Sequence, residues 1–380
     1  MIRRLLLLLS FSIFLYVLWG VWQKQPESFQ INEFTEVIQG QYNTLKENEK
    51  VNDSITKLLV TFDQMARQLS DTLVEDQEQE TNSATPIEKP VLATPTQQIF
   101  SVHNVQLHQS KEEVEQLLGS PKRTSENEYG INWNVYHENY HNFIMVGYND
   151  QNKVAAIYTN QDLISSSNGI VLGSNKQMVG EQLGESLSSI NKGMVFYQFD
   201  KKQEFEMFQI DDSYITVFYD QHQNNTVTAI QIVSKSLEDR RNDYYTNETE
   251  ALKEGFEYQL FDLTNSTRVK FGLSVLTWDD YVRETARKHS KDMAVNNYFS
   301  HENLEGKSPF DRMLEDDIQF TIAGENLAYG QYSSIFAHEG LMNSMGHREN
   351  ILQKDFKYLG VGVAFNSKFQ PYYTQKFYSK

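Results

Sequence analysis

Residues 111–233 run through one order of elements twice, and such a repeat restricts the middle of the chain to a layered mixture of helix and antiparallel strand. In the first copy, residues 111–118 read as a short helix with Val114, Leu117 and Leu118 on one face, stopped by Gly119 and Pro121. Residues 131–136 and 143–148 alternate as strands do, and the polar turn 149–152 leads into a third strand at 154–158. The second copy has a helix at 177–183 stopped by Gly184, strands at 204–210 and 214–219, a turn at 220–225 and a strand at 227–233. Tyr148-Asn-Asp-Gln151 and Tyr219-Asp-Gln221 mark the same hairpin corner in each copy. Two copies suit a compact α+β module; a solenoid needs at least three. His103, His108, His137, His141 and His222 lie in polar or aromatic surroundings and read as surface or packing residues. A binding or docking role is expected for this module.

At the N-terminus, Arg3 and Arg4 precede a run from Leu5 to Trp22 with no charged residue. At about 1.5 Å per residue this run can cross a hydrocarbon core of about 30 Å. Arginines on its N-terminal side keep that end cytoplasmic and send the rest outward, and Trp19 and Trp22 sit where interfacial aromatics belong. Residues 1–23 are therefore expected to form a signal-anchor transmembrane helix, leaving a single-pass membrane protein with its domains outside the cell. A cleaved signal peptide and a secreted product is the alternative, and the sequence offers it no good Ala-x-Ala site.

Residues 24–99 read as a helical stalk followed by a linker. Val51, Ile55, Leu58, Phe62, Met65 and Leu69 form a heptad seam, which suits either a self-associating stalk or a helix packed on its own chain. Residues 71–80 are acidic with no basic residue, and 81–98 mix Thr, Asn and Ser with Pro86, Pro90 and Pro95, a solvated composition. A module at 100–240 and a final domain at 248–380 follow. The chain has no cysteine, so disulfides and thiolate metal sites are excluded. Its net charge of -17 argues against nucleic acid as a partner.

The final domain carries the chemically capable residues. A helix is expected over 248–271, with Leu252, Phe256, Leu260 and Leu263 on one face and Gly272 as its stop. Asp279 and Asp280 start another, whose apolar stripe Val282, Ala286, His289 and Met293 gives His289 a packing role. Ser308-Pro309-Phe310-Asp311 and Ser333-Ser334 begin two more. Residues 358–365 and 372–377 alternate as a closing hairpin. Three segments place a reactive side chain beside small or polar residues: Asn297-Tyr-Phe-Ser-His301, Ala323-Gly-Glu-Asn-Leu-Ala-Tyr-Gly330 and Ser344-Met-Gly-His-Arg-Glu-Asn350. His301, Glu325 and His347 are expected to meet in one cleft.

Several ordered motifs in residues 250–380 resemble the CAP superfamily of cysteine-rich secretory proteins, antigen 5 and pathogenesis-related proteins. They are Asn265-x-x-Arg268, Leu276-x-Trp278, Ala286-x-x-His289-Ser290-x-x-Met293, Tyr298-Phe-Ser-His301, Gly324-Glu-Asn326, Gly346-His-Arg-Glu-Asn350 and Gly360-Val-Gly362. The resemblance implies an α-β-α sandwich with a shallow cleft holding His301, Glu325 and His347. The second family glutamate falls near Ser344, and Glu339, about a turn earlier, is the candidate to replace it. The lack of cysteine is similar to the bacterial branch, and the middle module resembles the CAP-associated domain of Gram-positive bacteria.

Two imidazoles and a carboxylate form a ligand set for Zn2+ or another divalent cation at His301 and His347, and a metal-bound water could attack an ester or amide. No hydroxyl or thiol nucleophile is clearly placed beside them. Three functions stand at this point: a membrane-tethered binding module for a cell-envelope polymer, lipid or peptide; a metal-assisted hydrolase using His301, Glu325 and His347; and a stalked scaffold associating through residues 51–69.

Overall fold

The computed structural model describes residues 87–193, 195–199 and 204–380. The expected membrane helix, the heptad seam and the acidic stretch lie outside these residues. No described helix is long and apolar enough to cross a membrane. The last part of the expected linker is attached to the first module: Asn104 Nδ2 donates to Val91 O at 2.9 Å, Asn142 Nδ2 to Glu88 O at 2.9 Å, and Ser165 Oγ to Ala93 O at 2.9 Å.

The first module comprises β1 (Phe100–Val102), α1 (Lys111–Leu118), β2 (Arg123–Glu126), β3 (Asn132–Glu138), β4 (His141–Tyr148), β5 (Val154–Thr159) and β6 (Ile164–Ser166). It continues with α2 (Lys176–Leu183), the hairpin β7 (Ser189–Lys192) and β8 (Val195–Gln198), then β9 (Phe205–Ile210), β10 (Ser213–Asp220), β11 (Thr226–Ser234) and α3 (Lys235–Glu238). Its main sheet is antiparallel throughout, in the order β2-β3-β4-β5-β11-β10-β9. The repeat is visible in that order. The third strands of the two copies, β5 and β11, pair at the centre, and the strands before them follow outward on either side. The helix caps repeat too. Ser110 caps α1 and bridges to Lys153 ahead of β5; Asn175 caps α2 and bridges to Thr226 at the start of β11. Both helices end on a left-handed glycine, Gly119 (φ 76°) and Gly184 (φ 82°), a conformation a Cβ would strain.

Both faces of this sheet are buried, and the side chains sort by alternation. Ile144, Val146, Val217 and Tyr219 face one core with Val114 of α1 and Val179 of α2. Phe143, Met145, Tyr158 and Phe218 face the other way, against Leu263, Tyr332, Ile335 and Phe336 of the C-terminal domain. Burying one such side chain contributes about 1.5–3 kcal/mol, so this second face joins the two regions.

The C-terminal domain contains α4 (Glu250–Lys270), β12 (Thr277–Trp278), α5 (Asp280–Asn296), α6 (Pro309–Glu315), β13 (Ile322–Tyr329), α7 (Ser334–Asn343), α8 (Met345–Ile351), β14 (Tyr358–Phe365) and β15 (Pro371–Ser379). Its sheet runs β12-β14-β15-β13, with β12 parallel to β14 and the remaining pairs antiparallel. Strand β14 shows why helices cover both faces. Leu359, Val361 and Val363 pack with Leu252, Phe256 and Leu260 of α4 and with Ala337 and Leu341 of α7. Gly360 and Gly362 point the other way, where a Cβ would fall 2.3 Å from Arg283 N and 2.1 Å from Arg287 N of α5. Glycine at these two positions lets the α5 backbone lie directly on the sheet.

Candidate functional site

The site forms where the loop after α5 meets β13. Asn297 adopts left-handed backbone (φ 53°) and ends α5, and the chain continues through Phe299 and Ser300 to His301. His289, buried in α5, braces this loop through Nε2, 3.0 Å from Ser300 O. Burial brings its imidazole down to about 4, so it is neutral at pH 7.

His301 Nδ1 lies 2.9 Å from Glu325 Oε1. An ionised carboxylate there requires Nδ1 to carry a proton and turns the Nε2 edge of the ring away from Glu325. The His301 side chain is 52% exposed, whereas that of Glu325 is 2% exposed. Two cations complete the surroundings of Glu325. Arg312 Nη2 donates to Oε1 at 3.2 Å and to Oε2 at 2.9 Å, and Lys376 Nζ lies 2.8 Å from Oε2. Burial alone would raise the Glu325 pKa; the hydrogen bond from His301 and the charges of Lys376 and Arg312 outweigh it and bring the value to about 2.

His347 is held beside this group by its main chain. Asn326 Nδ2 donates to His347 O at 3.0 Å, and Asn350 Nδ2 donates to Asn326 Oδ1 at 2.9 Å and Glu325 O at 3.3 Å. Gly324 permits this approach: a Cβ there would lie 2.9 Å from Asn350 Oδ1. Each residue of Gly324-Glu-Asn326 thus has a separate job: clearance for α8, fixing of His301, and fixing of His347. Burial lowers the pKa of the half-buried His347, and the nearby His301 lowers it further.

Glu339 lies elsewhere. It is buried on α7 and accepts a 2.6 Å hydrogen bond from Tyr158 of β5. With Lys270, Asp220, Asn343 and Arg348 it lines a cavity of about 10 Å³, the room of one water. The structure therefore does not place it as a second acid beside His301 and His347. Ser344 is the exposed N-cap of α8.

A family profile described as CAP-associated N-terminal matches residues 107–244, and one described as cysteine-rich secretory protein family matches residues 261–377. The uncharacterized membrane protein YlbC of Bacillus subtilis (strain 168) is 30% identical over 293 residues, 70% of this chain and 80% of its own. This chain belongs to the CAP family, in its bacterial form with an N-terminal CAP-associated domain. The uncharacterized protein YkwD of the same organism is 39% identical over 125 residues, 33% of this chain and 48% of YkwD. Among solved structures, an extracellular protein containing a SCP domain from Bacillus anthracis matches with a TM-score of 0.63 at 26% identity, over 77% of this chain and 100% of that one. A cysteine-rich secretory protein from Staphylococcus aureus shares the fold, with a TM-score of 0.56 at 15% identity, over 72% of this chain and 91% of that one.

The chemistry open to the CAP site follows from its bonding. No serine or threonine hydroxyl among the described residues bonds either imidazole; Ser300 Oγ accepts from Glu302 N at 3.2 Å. Zinc through His301, Glu325 and His347 does not fit, because both Glu325 oxygens are taken by Arg312, Lys376 and His301. Among the described residues no group of three or more His, Asp or Glu is spaced to hold a metal ion. Two imidazoles are one ligand short of the usual catalytic zinc set. Sequence reasoning missed Arg312 and Lys376. A signal for Lys376 existed in the strand register: it is the direct cross-strand partner of Glu325.

Proposed function

We propose that this chain is a membrane-tethered, extracytoplasmic binding protein whose CAP domain holds a cell-envelope ligand, either polymer, peptide or lipid, at His301 and His347. One observation carries the reading: Glu325 fixes the half-exposed His301 while being itself neutralised by Arg312 and Lys376. The imidazole is thus held in one orientation before a ligand arrives. The same bonding occupies both oxygens of Glu325. Exposed Phe299 and Met345, each two residues before a site histidine, add apolar contact surface. The charge-free run from Leu5 to Trp22 supports the tether, as do relatives named a membrane protein and an extracellular protein. Self-association through residues 51–69 is a separate part of the reading, and sedimentation of the full chain showing only monomer would remove it.

The binding test is co-sedimentation of the purified protein with cell-wall sacculi, membrane vesicles and envelope peptide fractions. Binding to one fraction, lost in His301→Ala with His347→Ala, is the expected result. No binding to any fraction sinks the proposal. Binding that survives both substitutions moves the ligand away from this site. Ester or amide hydrolysis abolished by a chelator would favour the hydrolase instead.

A further inference from the structure

The His347 helix is short and poorly capped. Helix α8 has seven residues, too few to be stable alone, and its N-cap Ser344 makes no side-chain cap bond. One side of it is fixed within the CAP domain, by Asn326 and Asn350. The other side is fixed by the CAP-associated domain. The corner leaving β10, Tyr219 to His222, grips the α7–α8 junction with four consecutive residues. Asn343 Nδ2 donates to Tyr219 O at 3.0 Å, Gln221 N donates to Asn343 Oδ1 at 2.8 Å, and His222 Nε2 lies 3.0 Å from Asn343 O. Asp220 Oδ2 receives Arg348 Nη2 at 2.8 Å, with both side chains buried. Arg348 follows His347 directly, and its Nη1 also donates to Met342 O at 3.1 Å.

We propose that the corner Tyr219–His222 is a positioning element for His347, so that the CAP site is complete only when the CAP-associated domain is docked. Asp220 is the principal positioning residue. It is the partner of the Arg348 guanidinium beside the uncapped end of α8, and the backbone grip on Asn343 holds the residue before the cap. Loosening this corner frees the helix end that presents His347 and leaves His301 on Glu325. The inference rests on the reading of His347 as a site residue, and its test uses no ligand, so a failure to find a ligand leaves it standing.

The experiment uses the full chain in detergent micelles, with amide hydrogen exchange and diethyl pyrocarbonate labelling of histidines read by mass spectrometry. In Asp220→Ala, peptides covering 341–352 exchange roughly tenfold faster and His347 labels faster, while His301 labelling and exchange in β13–β15 stay at wild-type rates. Asp220→Asn, whose amide oxygen can still accept from Arg348, falls between. His222→Ala, at a more exposed position, gives a smaller change in the same peptides and carries the test should Asp220→Ala not fold. Arg123→Ala is the control. It breaks another contact between the regions, Arg123 Nε to Asp262 Oδ2 at 2.9 Å, and leaves 341–352 unchanged. Unchanged exchange at 341–352 in the Asp220 and His222 variants would overturn the inference. So would an equal rise in the Arg123 variant, because the corner would then be general adhesive and not a positioning element.

Discussion

Glu325 and Lys376 face each other across the β13–β15 pair, 2.8 Å apart and both buried. Arg312 closes the other side of the carboxylate, so one acid balances two buried cations. Glu325→Gln removes that balance and is expected to destabilise the fold by about 3–5 kcal/mol, the cost of leaving buried charge unpaired. The pH dependence has a definite sign. The folded-state pKa lies at about 2, below the ordinary 4.5, so the contribution is present above pH 4.5 and is lost as pH falls through about 2. Urea midpoints of wild type and variant should therefore converge toward pH 2. A constant gap would mean that Glu325 is not the charged partner.

Replacing His301 has the opposite balance. The side chain is half exposed, and Glu325 keeps Arg312 and Lys376 without it. His301→Ala should cost only about 1 kcal/mol in unfolding free energy, the net worth of one hydrogen bond, while envelope binding falls well below the wild-type level. A loss of stability matching that of Glu325→Gln would make His301 part of the scaffold and not of a binding surface.

Legibility in the sequence followed the local signals. The repeat could be read because each copy announces itself with a stopping glycine and a polar corner, and the sheet keeps that order with β5 against β11. Gly324, Glu325 and Asn326 stood out because a small residue beside two polar ones rarely serves packing. Lys376 did not, because a lysine in an alternating strand reads as a solvent-facing residue, whereas both faces of β15 are covered. Arg312 reads as an ordinary surface residue of a short helix; its role depends on β13, distant in sequence. Glu339 was misplaced because helical spacing from Ser344 says nothing about what docks on α7, and Tyr158 comes from the other domain. The hairpin β7–β8 falls inside the second copy, between α2 and β9, where the first copy has the single strand β2 paired to β3.

Glu339 gives a prediction with the reverse pH sense. Burial raises its pKa to about 7 despite the Tyr158 hydrogen bond and the Lys270 charge. The folded state thus holds its proton more tightly than the unfolded state, where the value is near 4.5. Its contribution is full below pH 4.5 and is lost as pH rises through about 7. Glu339→Gln keeps the shape and cannot ionise. The variant should gain stability relative to wild type between pH 4.5 and pH 8, by an amount on the order of 2–3 kcal/mol. Paired urea titrations at the two pH values measure it; a difference that does not grow with pH would show that Glu339 is already ionised in the fold.

The close seating of α5 on β14 can be tested by a single methyl group. A Cβ at Gly362 would fall 2.1 Å from Arg287 N and 2.3 Å from Ala286 C, both main-chain atoms that cannot swing aside. Overpacking of this kind costs about 1–3 kcal/mol where side chains can yield, and backbone leaves less room to yield. Gly362→Ala is therefore expected to lower stability by about 3 kcal/mol. Gly346→Ala, where a Cβ meets nothing within 4 Å, should cost under about 1 kcal/mol, although it neighbours His347. The separation has a functional consequence. Helix α5 carries His289, which braces Ser300 and hence the His301 loop. Gly362→Ala should therefore also speed amide exchange at 298–302, whereas Gly346→Ala should not. Equal exchange at 298–302 in the two variants would break the proposed link from α5 through His289 to the site.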